Sequence, residues 1–313
     1  MLWSGQRCEQ MKLPQSYHTL CIPGNWGMQR RHFSWSSLSS LPPFSSWRHR
    51  VLGTRLDASD PSKKCTPTYD SSTSNKALES ALRVVRERRS SKRFDPTRAV
   101  DLNLVDELLT ASVRAPTAFN LQPWAAIVVH EHTQRVALSQ AALGQLQPLE
   151  APVSVVFAGD MEPERRAPAA LELGLNTNYY KPLYGASYLR SVYYHLHGGP
   201  LGVMAHAKSC LSSIYSRSTG TPMLSVPTTM QGYAWKQAMI PATTFLFLAT
   251  AASLDTAILE GLDEAKVREV VGLPDRYTVP VIVSVGYKAV VEGKTTVQSP
   301  RFEPRELIRW GKF

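Results

Sequence analysis

Three apolar, β-branched runs constrain the fold of this chain more than any other feature of the sequence. They occupy residues 124–130, 153–158 and 279–287, and their composition predicts three strands. Helical patterns precede and separate them. Strands interleaved with helices predict an α+β fold, in which helices pack in layers on a central sheet.

Apolar spacing and cap residues predict the helices. The first starts near Asn75, the second runs from Asp101 to before Pro116, and the third spans residues 133–143. A fourth begins at Trp235, and a fifth runs from Asp263 to Gly272. The longest apolar run, 239–252, is broken by Pro241 and is shorter than the roughly 20 residues of a membrane span. We therefore expect a helix buried on all sides and no transmembrane segment. Glycines, prolines and tyrosine pairs in residues 163–229 predict a lid-like helical excursion over a site.

Residues 1–75 have the character of a targeting leader with a flexible linker, ahead of one domain at residues 76–313. Through residue 56 the chain has seven Lys and Arg residues and one acid, Glu9. This Arg- and Ser-rich composition is typical of an organellar transit peptide, and residues 31–34 resemble a matrix-processing site. We expect import into a mitochondrion. A plastid is the alternative destination, and an uncleaved tail is the alternative interpretation.

The net charge of +10 predicts an acidic partner, such as nucleic acid, an anionic membrane or a phosphorylated ligand. Much of the excess lies in the leader, so the body is only mildly basic and the first two partners are weakly supported. The four cysteines are not spaced as metal ligands, and we predict no metal site. The sequence also has no Walker, dinucleotide-binding or hydrolase-elbow motif.

A basic run, Arg88-Arg89-Ser90-Ser91-Lys92-Arg93-Phe94, follows the first helix. It combines four cations with two hydroxyl groups, and these are the groups that hold a phosphate. A solvated surface is the alternative interpretation for such a run. The choice depends on whether other segments supply the rest of a phosphate-containing ligand's site.

Four separated segments, taken in order, resemble the FMN-dependent, oxygen-insensitive nitroreductase family. They are residues 88–95 (RRSSKRFD), 114–124 (RAPTAFNLQPW), 259–263 (LEGLD) and 299–302 (SPRF). Their order and separation extend the resemblance over residues 75–313. With its leader, the chain is most similar to the mitochondrial nitroreductases of trypanosomatid parasites. The resemblance implies a mainly antiparallel sheet flanked by helices, in an intertwined homodimer.

The same resemblance assigns roles at the two ends of a bound FMN. Arg88, Ser90 and Arg301 would hold the phosphate, because charged and hydroxyl donors bond strongly to its oxygens. Lys92 would lie near the N1/O2 edge of the ring, where a fixed cation raises the reduction potential. Arg89 is a further cofactor-binding candidate, with a surface or packing role as the alternative.

A second group of candidates would surround the flavin ring. By resemblance, Asn120 bonds the pyrimidine edge, and this segment crosses the dimer interface so that each pocket needs two chains. The backbone of Glu260 and Gly261 would approach flavin N5, with glycine permitting close contact. The remaining ring-side candidates are Pro116, Thr117, Ala118, Gln145, Gln147 and Leu259. A lysine often found in the family near the two glutamines is missing from this sequence.

The implied reaction passes two electrons, as hydride, from NADH or NADPH through flavin N5 to a quinone or a nitroaromatic compound. It needs no catalytic side chain, and one open flavin face would give a ping-pong mechanism. Gln237 is a candidate substrate contact. Two alternatives stay open: a flavoenzyme of the same fold with dehalogenase, flavin-cleaving or heterocycle-oxidising activity, and, remotely, a basic organellar RNA-binding protein. The second would leave residues 120–124 unexplained.

Overall fold

The computed structural model of the protein describes residues 76–199, 202–290 and 298–313. The predicted leader and linker at residues 1–75 lie outside these ranges. Across the described ranges, no helix has both the length and the apolar character needed to cross a membrane.

Helices and strands interleave along the described chain. The helices are α1 (Lys76–Glu87), α2 (Leu102–Ser112), α3 (His132–Ala141), α4 (Gln147–Glu150), α5 (Ala167–Asn176), α6 (Gly185–Leu196), α7 (Val203–Thr219), α8 (Met230–Ala251), α9 (Glu264–Val271) and α10 (Pro304–Leu307). The strands are β1 (Trp124–Val129), β2 (Val153–Asp160), β3 (Asp255–Leu259) and β4 (Tyr277–Gly286).

The strands form one antiparallel sheet in the order β1-β2-β4-β3. Every residue of the central strand β2 is buried, and its side chains alternate between two cores. Val155 and Phe157 pack with α2 and α8, whereas Val156 packs with α3 and α9. The α+β class and the antiparallel sheet flanked by helices are therefore confirmed.

α8 approaches the sheet closely at Gly159 of β2. A Cβ atom at this position would lie 2.5 Å from the carbonyl oxygen of Ala234 on α8. The pairing of β2 with β4 also shifts register between Phe157 and Gly159, which marks a bulge. Because Gly159 has no side chain, the backbone of α8 can contact β2. This contact sets the distance of α8 from the sheet.

Most predicted elements are confirmed, with bounds moved by a few residues. Asp101 caps α2 as expected, accepting a hydrogen bond from the backbone N–H of Asn103. Asp263 and Gly272 likewise bound α9. Cap residues and apolar spacing therefore locate these helices well, because both signals are local.

Two expectations about the apolar stretch from α8 to β3 were wrong. α8 begins at Met230 rather than Trp235, and Trp235 is 40% exposed, so the helix is not buried on all sides. β3 was not predicted as a strand. It has only five residues and follows α8 closely, so its apolar residues could not be told from the end of the helix.

Residues 163–229 are largely helical, as predicted, and contain α5, α6 and α7. Lys208 of α7 donates from Nζ to the carbonyl oxygens of Tyr194 and His197, at 2.7 and 2.6 Å, and so holds the end of α6. The hydroxyls of Tyr194 and Ser212 are also hydrogen-bonded at 2.8 Å. These bonds join the end of α6 to α7.

Candidate functional site

The basic run lies along the outer edge of the sheet, beside β3. Ser90 pairs with Thr256 in a parallel bridge, and the N–H of Ser91 donates to the carbonyl oxygen of Thr256 at 2.8 Å. Phe94 pairs with Lys288 just beyond β4. Backbone hydrogen bonds therefore fix the position of the run relative to β3.

Some side chains of the run bond into the protein. The hydroxyl of Ser91 donates to Asp255 Oδ1 at 3.4 Å. Both carboxylate oxygens of Glu150 are used, since Oε1 accepts from Arg93 Nε at 2.6 Å and Oε2 from the N–H of Phe94 at 3.0 Å. Glu150 thus ties the run to the end of α4.

The other side chains of the run are available to a ligand. Within the described part of the chain, the side chains of Arg88, Ser90 and Lys92 make no hydrogen bond or ion pair. Arg89, in contrast, takes part in an interaction within the chain. Two cations and a hydroxyl are therefore held in place by backbone bonds without being neutralised, an arrangement that suits an anion.

The chain leaves β3 into a second predicted segment, at Glu260 and Gly261. Both residues are exposed. Gln145 donates from Nε2 to the carbonyl oxygen of Gly261 at 2.7 Å, and its own carbonyl accepts from Ser139 Oγ at 2.7 Å. The structure thus brings Gln145 together with Gly261, whereas the side chain of Gln147 makes no hydrogen bond to the described residues.

Arg301 lies in a C-terminal segment that returns to the basic run. Gln298 donates from Nε2 to the carbonyl oxygen of Arg86 at 2.9 Å, which places this segment two residues from Arg88. The guanidinium of Arg301 bonds Ser299 and the carbonyl oxygen of Pro300, all within its own exposed segment. The two phosphate-binding segments predicted from sequence are therefore neighbours.

The third predicted segment forms a tight loop before β1. Phe119, Asn120 and Gln122 all have positive φ angles, of 55°, 53° and 49°. Residues other than glycine adopt this conformation at an energetic cost, and clusters of them mark functional loops. The side chain of Asn120 is exposed and makes no hydrogen bond to the described residues.

Several buried or half-buried groups hold this loop in place. Gln237 of α8, only 3% exposed, accepts from the N–H of Ala118 at 2.9 Å through Oε1. Tyr188 of α6 donates its hydroxyl to the carbonyl oxygen of Phe119 at 2.9 Å. Burial, with Tyr180, Tyr184 and Tyr233 nearby, raises the pKa of Tyr188, so the phenol stays protonated and able to donate.

Gln237 is predicted to contact substrate, and that role stays a prediction. In the single chain its buried amide positions the loop that carries Asn120. Sequence reasoning also missed Glu150, Tyr188 and Arg166, whose Nη1 donates to the carbonyl oxygen of Gln122. The tyrosine pairs of the excursion were the only sequence signal near these groups, since each partner is far away along the chain.

The loop and the end of β3 lie at opposite edges of the sheet. β1 and β3 are separated by β2 and β4, which corresponds to three strand spacings, or roughly 14 Å. Within one chain, the segments of Arg88 and Arg301 are neighbours, and Gln145 contacts Gly261. Asn120 lies at the other edge of the sheet from both groups.

A histidine beneath the loop is held in its neutral form. His195 packs on the rings of Phe119 and Tyr233, with ring centroids 5.7 and 6.4 Å apart. Burial, reinforced by the charges of Lys236 and Lys208, lowers the pKa of His195 below its ordinary value of 6.5. Its Nδ1 and the hydroxyl of Tyr233 are buried without a hydrogen bond.

This lowered pKa predicts a loss of stability in mild acid. As the pH falls through the ordinary histidine value of 6.5, the unfolded chain binds a proton that the folded chain does not bind. The free energy of unfolding should therefore decrease until the folded-state pKa is reached. Urea unfolding at several pH values should show this slope, and His195→Phe should flatten it. The same substitution at the exposed His132 should leave the slope unchanged. An equal slope in wild type and His195→Phe would contradict the prediction.

Comparisons with known proteins agree with this architecture. The model of the nitroreductase family matches residues 85–287. The chain is 30% identical over 204 residues to the NADH dehydrogenase of Thermus thermophilus, covering 64% of this chain and 83% of that protein. A nitroreductase family protein from Streptococcus pneumoniae is 22% identical, with a TM-score of 0.54 and coverage of 73% and 98%. A structure from Exiguobacterium sibiricum, solved in complex with FMN, is 19% identical, with a TM-score of 0.52 and coverage of 73% and 96%.

The family model covers all of the sheet and the helices packed on it, from the end of α1 to just past β4. The solved structures share the same fold over nearly their whole length. The chain belongs to the nitroreductase family.

Proposed function

We propose that this protein is an FMN-dependent oxidoreductase that uses NADH or NADPH to reduce quinones and nitroaromatic compounds. One observation carries the proposal. Arg88, Ser90 and Lys92 are fixed beside β3 with no side-chain partner among the described residues, and the same strand ends at the exposed pair Glu260 and Gly261. A ligand with an anion at one end and a flat ring at the other fits this arrangement.

The residues present suit FMN. Arg88 and Ser90 would bond its phosphate, with Arg301 approaching from the neighbouring C-terminal segment. Gly261 has no side chain, so its backbone could approach a flavin ring closely. When bound, FMN would supply the two-electron chemistry between the nicotinamide and the acceptor. Lys92 would favour electron uptake, because a fixed cation stabilises negative charge on the ring.

The proposed pocket needs a second copy of the chain. Asn120 lies at the opposite edge of the sheet from Gly261, so only the loop of a partner could reach the ring. Two surfaces support a dimer: α1 buries no residue in the single chain, and Phe302 and Trp310 in the C-terminal segment are 72% and 92% exposed. We propose that a partner covers these surfaces and completes each site.

The full-length protein tests this proposal directly. After reconstitution with FMN it should be yellow, sediment at twice the mass of one chain, and release FMN on denaturation. NADH should bleach it anaerobically, and a benzoquinone or a nitrofuran should restore the colour, with parallel lines in double-reciprocal plots. A colourless protein that cannot be reconstituted would refute the proposal. Bleaching without reoxidation by either acceptor would favour another reaction on the same fold.

Removing the side chain of Arg301 should weaken FMN binding, whereas removing that of Lys92 should change the flavin reduction potential. We expect Arg301→Ala to weaken FMN binding by about tenfold, since a charged hydrogen bond contributes about 1.5–3 kcal/mol and this one is exposed. Lys92→Ala should mainly lower the flavin reduction potential. FMN titration and anaerobic potentiometry measure the two effects. Arg305→Ala, on the exposed α10, is the matched control. Unchanged FMN affinity in Arg301→Ala, or an unchanged potential in Lys92→Ala, would overturn the corresponding role.

We further propose that the protein is imported into mitochondria and belongs to the trypanosomatid mitochondrial type of this family. The Arg-rich, acid-poor composition of residues 1–56 supports this proposal. A fluorescent protein carrying residues 1–75 should accumulate in mitochondria in a trypanosomatid cell. Accumulation in the cytosol would contradict it.

A further inference from the structure

α7 turns its apolar side away from the protein. The residues that it buries are small, Ala205 and Ser212. In contrast, Met204, Leu211 and Ile214 are 51%, 67% and 59% exposed. An ordinary surface helix has the reverse arrangement, with its apolar stripe facing the core.

The exposed apolar residues form one continuous face. Residues three, four and seven apart share one side of a helix, so Met204 aligns with Leu211, and Leu211 with Ile214 and Tyr215. Val203, at 64% exposed, extends the set at the start of the helix. We name these five residues the α7 outer face.

The opposite side of α7 is hydroxyl-rich and faces its own chain. A groove separates it from the segment that leads to α8. This groove is lined by Ser209, Ser212, Ser213, Ser216, Arg217, Met223, Leu224, Ser225 and Val226. The helix is therefore amphipathic, and its orientation leaves the α7 outer face without a partner among the described residues.

The connection from α5 to α6 also exposes large apolar side chains. Leu183 and Tyr179, in the connection from α5 to α6, are 98% and 72% exposed, and Tyr184 is 42% exposed. Tyrosine has an apolar ring and a polar hydroxyl, a combination that suits the boundary between water and hydrocarbon.

The charge of this region has one sign. No Asp or Glu occurs in residues 173–254, which contain five cations and therefore carry a charge of +5. The cations are Lys181, Arg190, Lys208, Arg217 and Lys236. Glu164 is the acid that acts on Lys208 from outside this stretch. The low charge of the body thus conceals a cationic stretch of chain, and α7 lies within it.

We propose that the α7 outer face docks on an anionic lipid bilayer, with α7 lying in the interface. An apolar helix face within a cationic stretch of chain that has no acids is the combination that binds such surfaces. Charge complementarity favours anionic lipid as the occupant, because a second copy of this chain would bring the same positive charge. The proposal does not depend on the flavin reaction. If both hold, docking would deliver lipid-soluble acceptors to the site.

Vesicle co-sedimentation of the full-length protein tests this proposal. One set of vesicles contains phosphatidylcholine alone, and the other contains about one part in five of phosphatidylserine. We expect binding to the second set only, decreasing as salt is raised. Leu211→Ser combined with Ile214→Ser should reduce the bound fraction at least severalfold. The matched control combines Leu102→Ser with Val113→Ser, exposed positions at the start of α2 and just past its end, and should bind as wild type.

Three outcomes would overturn the proposal. The first is no binding to anionic vesicles. The second is binding that persists in the Leu211→Ser, Ile214→Ser variant, which would assign it to another segment, such as the basic leader. The third is a lower oligomeric mass in that variant without vesicle binding by wild type, which would make the α7 outer face a contact between copies. FMN content and NADH bleaching, measured on the same samples, show separately whether the proposed function holds.

Discussion

Replacing Gly159 with alanine should lower the free energy of unfolding by about 1–3 kcal/mol, the usual range for overpacking a close-packed interior. The added Cβ would lie 2.5 Å from the carbonyl oxygen of Ala234 and 2.9 Å from its Cβ. These atoms belong to the backbone region of α8 and cannot rotate away, so the helix must move off the sheet. Urea unfolding followed by circular dichroism gives the change.

Gly185→Ala is the matched control for this prediction. A Cβ there would be 3.5 Å from Leu171 Cδ2, an ordinary contact, and the residue already has helical angles at the start of α6. Alanine should therefore leave stability unchanged or raise it slightly. Equal stability in Gly159→Ala and wild type would show that α8 does not depend on this close contact.

Replacing Gln237 with leucine should weaken FMN binding by about five- to a hundredfold. Leucine is similar in size but leaves the N–H of Ala118 without its acceptor, a loss of about 1–3 kcal/mol when the group is buried. The loop that carries Asn120, strained by its positive φ angles, would lose its connection to α8. Fluorescence titration of the apoprotein with FMN measures the effect.

Gln231→Leu provides the control on the same helix. Gln231 is exposed, and its amide makes only long contacts, 3.4 Å to Glu264 and 3.5 Å to Thr278. It should bind FMN as wild type does. If Gln237→Leu also retains FMN normally while Asn120→Ala does not, the loop keeps its shape without the buried amide.

The sheet and most helices could be predicted because their signals are local. β2 and β4 are apolar, β-branched runs, and α2 and α9 have recognisable caps. β3 could not be predicted, because its identity as a strand comes from pairing with β4, which lies about twenty residues further along the chain.

Part of the candidate site also has local signals. The basic run is predicted to bind an anion because cations and hydroxyls indicate that chemistry within one segment, and this stays a prediction. Which of its side chains remain free depends on Asp255 and Glu150, whose positions only the fold establishes. For the same reason the bond between Gln237 and Ala118 could not be predicted, since the two residues are 119 positions apart.

β3 also specifies a length. Ser91 is bonded to Thr256, and Glu260 follows Thr256 by four residues, a span of about 13 Å at roughly 3.3 Å per residue. In the proposed complex this span sets how long a linker can join the phosphate of the cofactor to its ring. Inserting one residue into β3 would lengthen the span by about 3.3 Å and turn the following side chains to the other face of the sheet. A cofactor whose linker does not match the span of β3 would bind at one end of the strand and fail to reach the other.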